Sequence, residues 1–321
     1  MTKPGVLITS RPPNDVIQRL EEFSSVIVGD NPSRAMSRAE VLAQIGNVAG
    51  IINQNELRID PEILEAAPKL KIVANTAAGF DNMDIAEMRR RRIWGCNCPD
   101  SYSVDTATHT IALLLALTRR LTEADRYVRS GKWADDGWMP GGRWDGVSLS
   151  GKRLGLVGFG HIGRQVARRA EAFDMIVSHH TRTDTGAKGW TSFDELVRGS
   201  DVISLHCPLT PETRHLFDAR VFAAMKPGAI LLNVARGPVV RNEDLVAALK
   251  SGRLAGAGLD VFEFEPEVPG PLLDMTNVIL SPHMGGCTVE ARKSAWSVCV
   301  DNVLRVLQGG SPATSAFSLD A

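Results

Sequence analysis

Leu154-Gly155-Leu156-Val157-Gly158-Phe159-Gly160-His161-Ile162-Gly163-Arg164 is the stretch on which the reading of this chain turns. An apolar run of strand type leads into a Gly-x-Gly-x-x-Gly string, and helix formers follow as far as Phe173. Such a string alone says little. Between a strand and a helix each glycine acquires a role. Gly158 permits the tight turn, Gly160 lets backbone approach a pyrophosphate, and Gly163 allows the helix to pack on the strand. The helix N-terminus adds N–H groups and the positive end of a dipole. The stretch therefore predicts a dinucleotide-binding unit.

Outward from it, short β-rich runs alternate with helical spacing in both directions, which implies parallel sheets with helices on both faces. Downstream, strands are expected at Arg153–Val157, Ile176–His179, Val202–Leu205, Ala229–Asn233, Gly256–Leu259 and Val278–Leu280, closed by an amphipathic helix over Thr288–Leu307 and a short polar tail. Upstream, strands are expected at Val6–Thr9, Val26–Val28, Gly50–Ile52, Ile72–Asn75 and Arg92–Asn97. Between the two series, one long helix is expected over Val104–Ser130, apolar at Ile111–Leu117, then an irregular loop to Gly146 holding Trp133, Trp138 and Trp144. Those tryptophans either pack on their own domain or form an interface, where aromatics are enriched.

With 321 residues the chain is long enough for two domains. Lys plus Arg is 36 against 37 for Asp plus Glu, a formal charge of −1, so no global field favours nucleic acid or an anionic membrane. Ile111–Leu117, the longest apolar stretch, is too short to span a bilayer, and Met1-Thr2-Lys3-Pro4-Gly5 leads into a strand with no signal-type apolar core. The five cysteines, Cys96, Cys98, Cys207, Cys287 and Cys299, form neither a disulfide framework nor a zinc-like spacing. A cytoplasmic chain with reduced thiols and no metal is expected.

The second strand of the downstream series should end near His179-His180-Thr181-Arg182. An NAD site would place an acid there to accept from the adenosine ribose. No acid occurs before Asp184; Thr181 offers a hydroxyl and Arg182 a guanidinium suited to a 2′-phosphate. A charge-assisted hydrogen bond contributes roughly 1.5–3 kcal/mol, and ~1.4 kcal/mol is tenfold. NADP(H) is therefore expected to be preferred over NAD(H).

Three polar residues follow candidate strands, where open α/β sheets bind ligands: Arg236, Glu265 and His283. Each alone is ambiguous, but together they suit hydride transfer to a carbonyl. That reaction needs a proton donor for the nascent alkoxide, a carboxylate to hold the imidazole and favour its charged form, and a cation to orient a 2-oxo acid.

Taken with Pro208-Leu209-Thr210-Pro211-Glu212-Thr213, Asn233–Gly237, Asp260–Pro266, Ser281–Gly286 and Asn75–Asn82, the chain resembles the D-isomer-specific 2-hydroxyacid dehydrogenases over nearly its whole length. The Thr181-Arg182 segment is similar to that of the NADP-using glyoxylate/hydroxypyruvate and 2-ketogluconate reductases. The resemblance implies two Rossmann-like or flavodoxin-like α/β domains, with a cofactor domain (103–287) inserted into a discontinuous substrate domain (1–102 and 288–321) and substrate held in the cleft. It implies that Arg236 binds substrate carboxylate and carbonyl, that His283 transfers the proton and that Glu265 is its partner. It places Ala78 and Gly79 on the substrate carboxylate, His161 and Ile162 on the pyrophosphate, and Asp260 on the nicotinamide carboxamide. Pro208, Thr213, Val234, Ala235 and Gly286 would lie along the cofactor.

Glu263 and Glu267 flank Glu265, but only Glu265 matches the family's acid before proline. Asp174 and Cys287 stand where the family usually has glycine and a small residue. The expected activity is NADPH-dependent reduction of a small 2-oxo acid to the D-2-hydroxy acid by a two-fold dimer, with Trp138 approaching the partner's active site. Asn53-Gln54-Asn55 is polar enough to suggest a hydroxylated substrate. The competing readings are an NAD-dependent dehydrogenase of the same family with another substrate and a corepressor-like NAD(H)-sensing binding protein.

Overall fold

The computed structural model describes residues 3–31, 33–138, 141–184 and 186–319. Met1 and Thr2 of the N-terminal stretch, Met139 and Pro140 of the tryptophan segment and the last two residues of the tail lie outside this set. The chain divides into two compact units, residues 1–102 with 287–321 and residues 103–286. The first holds strands β1 (Gly5–Ile8), β2 (Ser25–Val28), β3 (Val48–Asn53), β4 (Ile72–Asn75) and β5 (Trp94–Cys96). All pair in parallel in the order β2-β1-β3-β4-β5. β1, β3 and β4 are buried throughout, as expected of strands covered on both faces. The helix Val289–Leu307 covers one face with Trp296, Val300 and Val303.

The second unit holds β6 (Arg153–Val157), β7 (Ile176–His180), β8 (Val202–Leu205), β9 (Ala229–Asn233), β10 (Leu254–Leu259) and β11 (Val278–Leu280). Their order is β11-β10-β9-β8-β6-β7, again parallel. Strand order reverses beside β6, and a ligand crevice forms outside the carboxyl ends of strands at such a switch point. The glycine string follows β6 directly. Arg236, Asp260 and Ser281 follow β9, β10 and β11. The fold thus brings these strand ends to one edge of the sheet.

The expected single helix over Val104–Ser130 is two helices, Pro99–Thr118 and Leu121–Arg129. The break falls at Arg120, which takes φ 51°. There Thr118 O accepts from Val147 N and Arg120 donates to Arg143 O, so tertiary bonds from the tryptophan segment replace helix continuation. That segment is not wholly irregular, since Lys132–Asp136 is helical. Of its tryptophans, Trp144 packs on Tyr127 at 5.1 Å, while Trp133 and Trp138 are 51% and 85% exposed.

Nor is the tail merely polar. Phe317 is buried beside Gly95, where an added Cβ would come within 2.5 Å of its ring, and Ala316 N donates to Gly95 O. Among the described residues no cysteine is in a disulfide; Cys98 and Cys299 are buried with their sulfurs 3.5 Å apart. No helix among the described residues is long and apolar enough to cross a membrane.

Asp174 closes the helix His161–Glu171 in the left-handed region, at φ 57°. Met175 N bonds to Ala170 O and Asp174 N to Glu171 O, the pattern in which glycine usually occupies this place. Left-handed backbone costs an L-residue roughly 1–2 kcal/mol, and glycine's extra unfolded-state freedom costs about 0.5–1 kcal/mol, so the first effect wins. Asp174→Gly is expected to raise stability by about 0.5–1 kcal/mol in chemical denaturation; a loss of stability would contradict this account of the turn.

Candidate active site

Gly158 has φ 99°, and a Cβ there would meet His206 C and O at 2.6 Å. At Gly163 a Cβ would press on Gly158 O at 2.5 Å, whereas at Gly160 it would meet none of the described residues within 4 Å. The first and third glycines are therefore demanded by the chain's own packing, and the second leaves an open cradle. The helix His161–Glu171 starts at that cradle with no side-chain cap and no acid in its first turn. Its uncapped N-terminal end suits a diphosphate. The loop thus fits a dinucleotide.

Past β7, Arg182 is exposed and Thr181 donates from Oγ1 to Thr183 O at 2.8 Å. The sequence places no acid near Arg182 before Asp184, but the fold brings Glu212 close enough for the Arg182 charge to help depress it. The Thr210 side chain is the larger cause of that lowered carboxyl pKa. Thr213 closes the 208–213 turn, donating to Pro208 O at 2.7 Å and accepting from Thr210 N. Val234 and Ala235 are buried, so a ligand would meet their backbone rather than their side chains. Gly286 ends the second unit, half-buried.

Arg236 leaves β9 through a turn made by Asn233, whose side chain accepts from Ala235 N and donates to Arg236 O, both at 3.1 Å. Next to it, Gly237 lies so tight against the following loop that a Cβ would stand 1.9 Å from Phe262 C. Glu265, in that loop, accepts from Phe262 N at 2.9 Å through Oε1 and from His283 Nδ1 at 2.7 Å through Oε2. Burial alone would raise the Glu265 carboxyl. The His283 bond, the Phe262 amide and the Arg236 charge outweigh it and hold the group below the ordinary carboxylate value. Arg236, Glu265 and His283 are thus brought together from three separate strand ends.

His283 takes φ 51°, a conformation rare for a residue with a Cβ. It is held by Asp260. Asp260 O accepts from His283 N at 2.8 Å; its Oδ1 accepts from Ser281 Oγ at 2.5 Å and Met284 N at 2.9 Å, and Oδ2 from Gly285 N at 2.8 Å. His109 Nε2, on the helix Pro99–Thr118, stands 3.3 Å from Oδ1. Asp260 is 1% exposed. Burial pushes its carboxyl up, but His109, Ser281 and the two amides outweigh burial and lower it. Asp260 thus holds the loop after β11, work that its place in the sequence does not signal. His109 carried no signal beyond being a lone histidine on an apolar helix.

In the first unit, Ala78 and Gly79 lie in a loop whose carbonyls are tied down by asparagines. Asn97 donates to Ala78 O at 2.6 Å and Asn75 to Gly79 O at 3.1 Å. Asn53 is wholly buried and donates to Asn75 at 2.9 Å. Its polarity serves this network, so it does not speak for a hydroxylated substrate. Among the described residues no group of three or more His, Cys, Asp or Glu is placed to hold a metal ion.

A depressed carboxyl contributes stability that is complete above its unfolded pKa and is lost as pH falls through the folded value. Asp260→Asn is expected to cost roughly 1.5–3 kcal/mol near neutrality. The gap from the parent should narrow once the pH drops below the carboxylate range, as followed by urea unfolding across pH. A gap constant with pH would show that the Asp260 charge does no holding.

Residues 111–285 match the family model described as the NAD binding domain of D-isomer specific 2-hydroxyacid dehydrogenases. The chain is 41% identical to a glyoxylate reductase of Thermococcus litoralis, over 97% of this chain and 96% of that one. A crystal structure of an NADPH-dependent glyoxylate/hydroxypyruvate reductase from Sinorhizobium meliloti, in complex with NADP and malonate, matches with a TM-score of 0.88 at 33% identity. It covers 98% of this chain and 97% of its own. A D-lactate dehydrogenase from Aquifex aeolicus, complexed with NAD and lactic acid, matches with a TM-score of 0.84 at 29% identity, over 95% and 96%. The glycine cradle after β6 and the strand-end histidine, glutamate and arginine fall inside the region matched by the family model, and the likeness runs through both units: the chain belongs to the D-isomer specific 2-hydroxyacid dehydrogenase family, and its second unit contains the nicotinamide-cofactor-binding domain.

Proposed function

We propose that this chain reduces a small 2-oxo acid of glyoxylate, hydroxypyruvate or 2-ketogluconate type to the D-2-hydroxy acid, using NADPH in preference to NADH. The observation that carries the chemistry is the 2.7 Å bond between His283 Nδ1 and Glu265 Oε2, with the Arg236 charge close enough to act on the same carboxylate. The bound nicotinamide supplies the hydride. Glu265 fixes Nδ1 as a proton-bearing nitrogen, and Nε2 is then the atom that gives a proton to the carbonyl oxygen as it becomes an alkoxide. Arg236 orients the carboxylate and polarises the carbonyl.

The cofactor preference rests on Arg182 and Thr181 at the end of β7, where no acid faces a ribose from the same segment. The NADP complex of the Sinorhizobium relative supports it. Glu212 works against it by competing for the Arg182 charge. The exposed Trp133 and Trp138 support the two-fold dimer.

Initial rates of NADPH and NADH oxidation with glyoxylate, hydroxypyruvate, 2-ketogluconate and phenylpyruvate test the whole reading. Activity favouring NADPH is expected; activity with NADH alone would discard the role of Arg182. Arg182→Ala should reduce the NADPH preference by about ten- to a hundredfold. His283→Ala should remove most turnover, by about 10²–10⁴-fold, with NADPH still bound. Parental turnover in His283→Ala would defeat the assignment.

A further inference from the structure

The proposed reaction uses Glu265 and gives no role to Glu263, two residues earlier in the same loop. Yet Glu263 Oε1 lies 2.7 Å from His215 Nε2, and its side chain is only 11% exposed. His215 follows the 208–213 turn and takes φ 53°, backbone that a residue with a Cβ adopts only when its surroundings insist. Its N–H donates to Pro238 O at 2.8 Å, and Phe217 N donates to Val239 O at 3.1 Å, both in the segment that continues from Arg236 and Gly237. Gly237 is in turn pressed against the Phe262–Glu263 peptide, where a Cβ would stand 2.4 Å from Glu263 N. Three segments therefore meet at one point, and two of them carry Arg236 and Glu265.

We infer that His215 and Glu263 are positioning residues that lock the Arg236 turn and the Glu265 loop into a single geometry. This deepens the proposed function and rests on its assignment of Arg236, Glu265 and His283. A fully exposed ion pair could be removed with little effect. Here the Glu263 side chain is largely buried, and its own peptide lies tight against Gly237. Truncating either partner leaves the other's polar atom unpaired and frees the loop that holds Glu265. Displacing reacting groups by about an ångström costs on the order of a hundredfold in rate.

The test compares Glu263→Ala, Glu263→Gln, His215→Ala and the double alanine variant with the parent. The measurements are kcat and KM for glyoxylate (or the best substrate of the panel), NADPH affinity by fluorescence titration, and the thermal midpoint. Each alanine variant should lose about 10- to 100-fold in kcat, with KM and NADPH affinity within about threefold of the parent. The double variant should be no worse than the worse single one, because the two residues act as a unit. Glu263→Gln, whose amide oxygen still accepts from His215, should recover most of kcat. Parental kcat in both alanine variants would overturn the inference, as would a loss that adds in the double variant and follows the thermal midpoint alone. If Glu263→Ala does not fold, His215→Ala carries the same comparison. His283→Ala is the control: its inactivity beside a fully active Glu263→Ala sinks only this inference, whereas its full activity sinks the underlying assignment.

Discussion

One buried carboxylate organises the sheet edge of the second unit that carries Arg236, Glu265 and His283. Asp260 sits at the end of β10 with its oxygens turned to the Ser281 hydroxyl and the amides of Met284 and Gly285. A carboxylate out of water is costly unless its lone pairs are used, and here donors from the loop after β11 use them. The cost of burial thereby becomes a constraint, because the loop cannot leave without stranding the charge. His283 is carried on that loop in a backbone conformation it would otherwise avoid, so the place of its imidazole depends on Asp260.

The second constraint is steric. Three strand ends converge because a parallel sheet sends all its carboxyl ends the same way, but convergence alone leaves ångströms of play. Gly237 removes it for Arg236 by bringing that turn into backbone contact with the loop of Glu265. Gly158 and Gly163 do the same for the phosphate loop, and the absence of a neighbour among the described residues around Gly160 leaves room on the ligand side. Electrostatics then acts on a frame already set. Glu265 remains ionised despite partial burial because His283, Arg236 and an amide face it.

The first unit achieves the same restraint with neutral groups. Asn53, Asn75 and Asn82 form a side-chain network that holds Gly79 O, and Asn97 separately holds Ala78 O. The amide is suited to this work, since it both donates and accepts without a charge to desolvate. The interior polarity of this segment is consequently structural, which is why residue polarity alone is a poor guide to the substrate.

Periodicity and short motifs are local properties, and they determined a good deal here. Alternating apolar runs marked the eleven strands of the described residues, the glycine string marked the strand-to-helix loop after β6, and Arg236, Glu265 and His283 were singled out by residue types that suit one chemistry and do converge at one sheet edge. Tertiary structure decided the rest. It broke the helix expected over Val104–Ser130 at Arg120, where bonds to the tryptophan segment compete with helix propagation. It buried Phe317 in a tail that reads as polar, turned Asp260 and His109 toward the His283 loop, set Glu212 beside Arg182 and paired His215 with Glu263. In each case the deciding partner is distant in sequence. A side chain's own identity states what it can bond to, but only the fold supplies the partner that it meets.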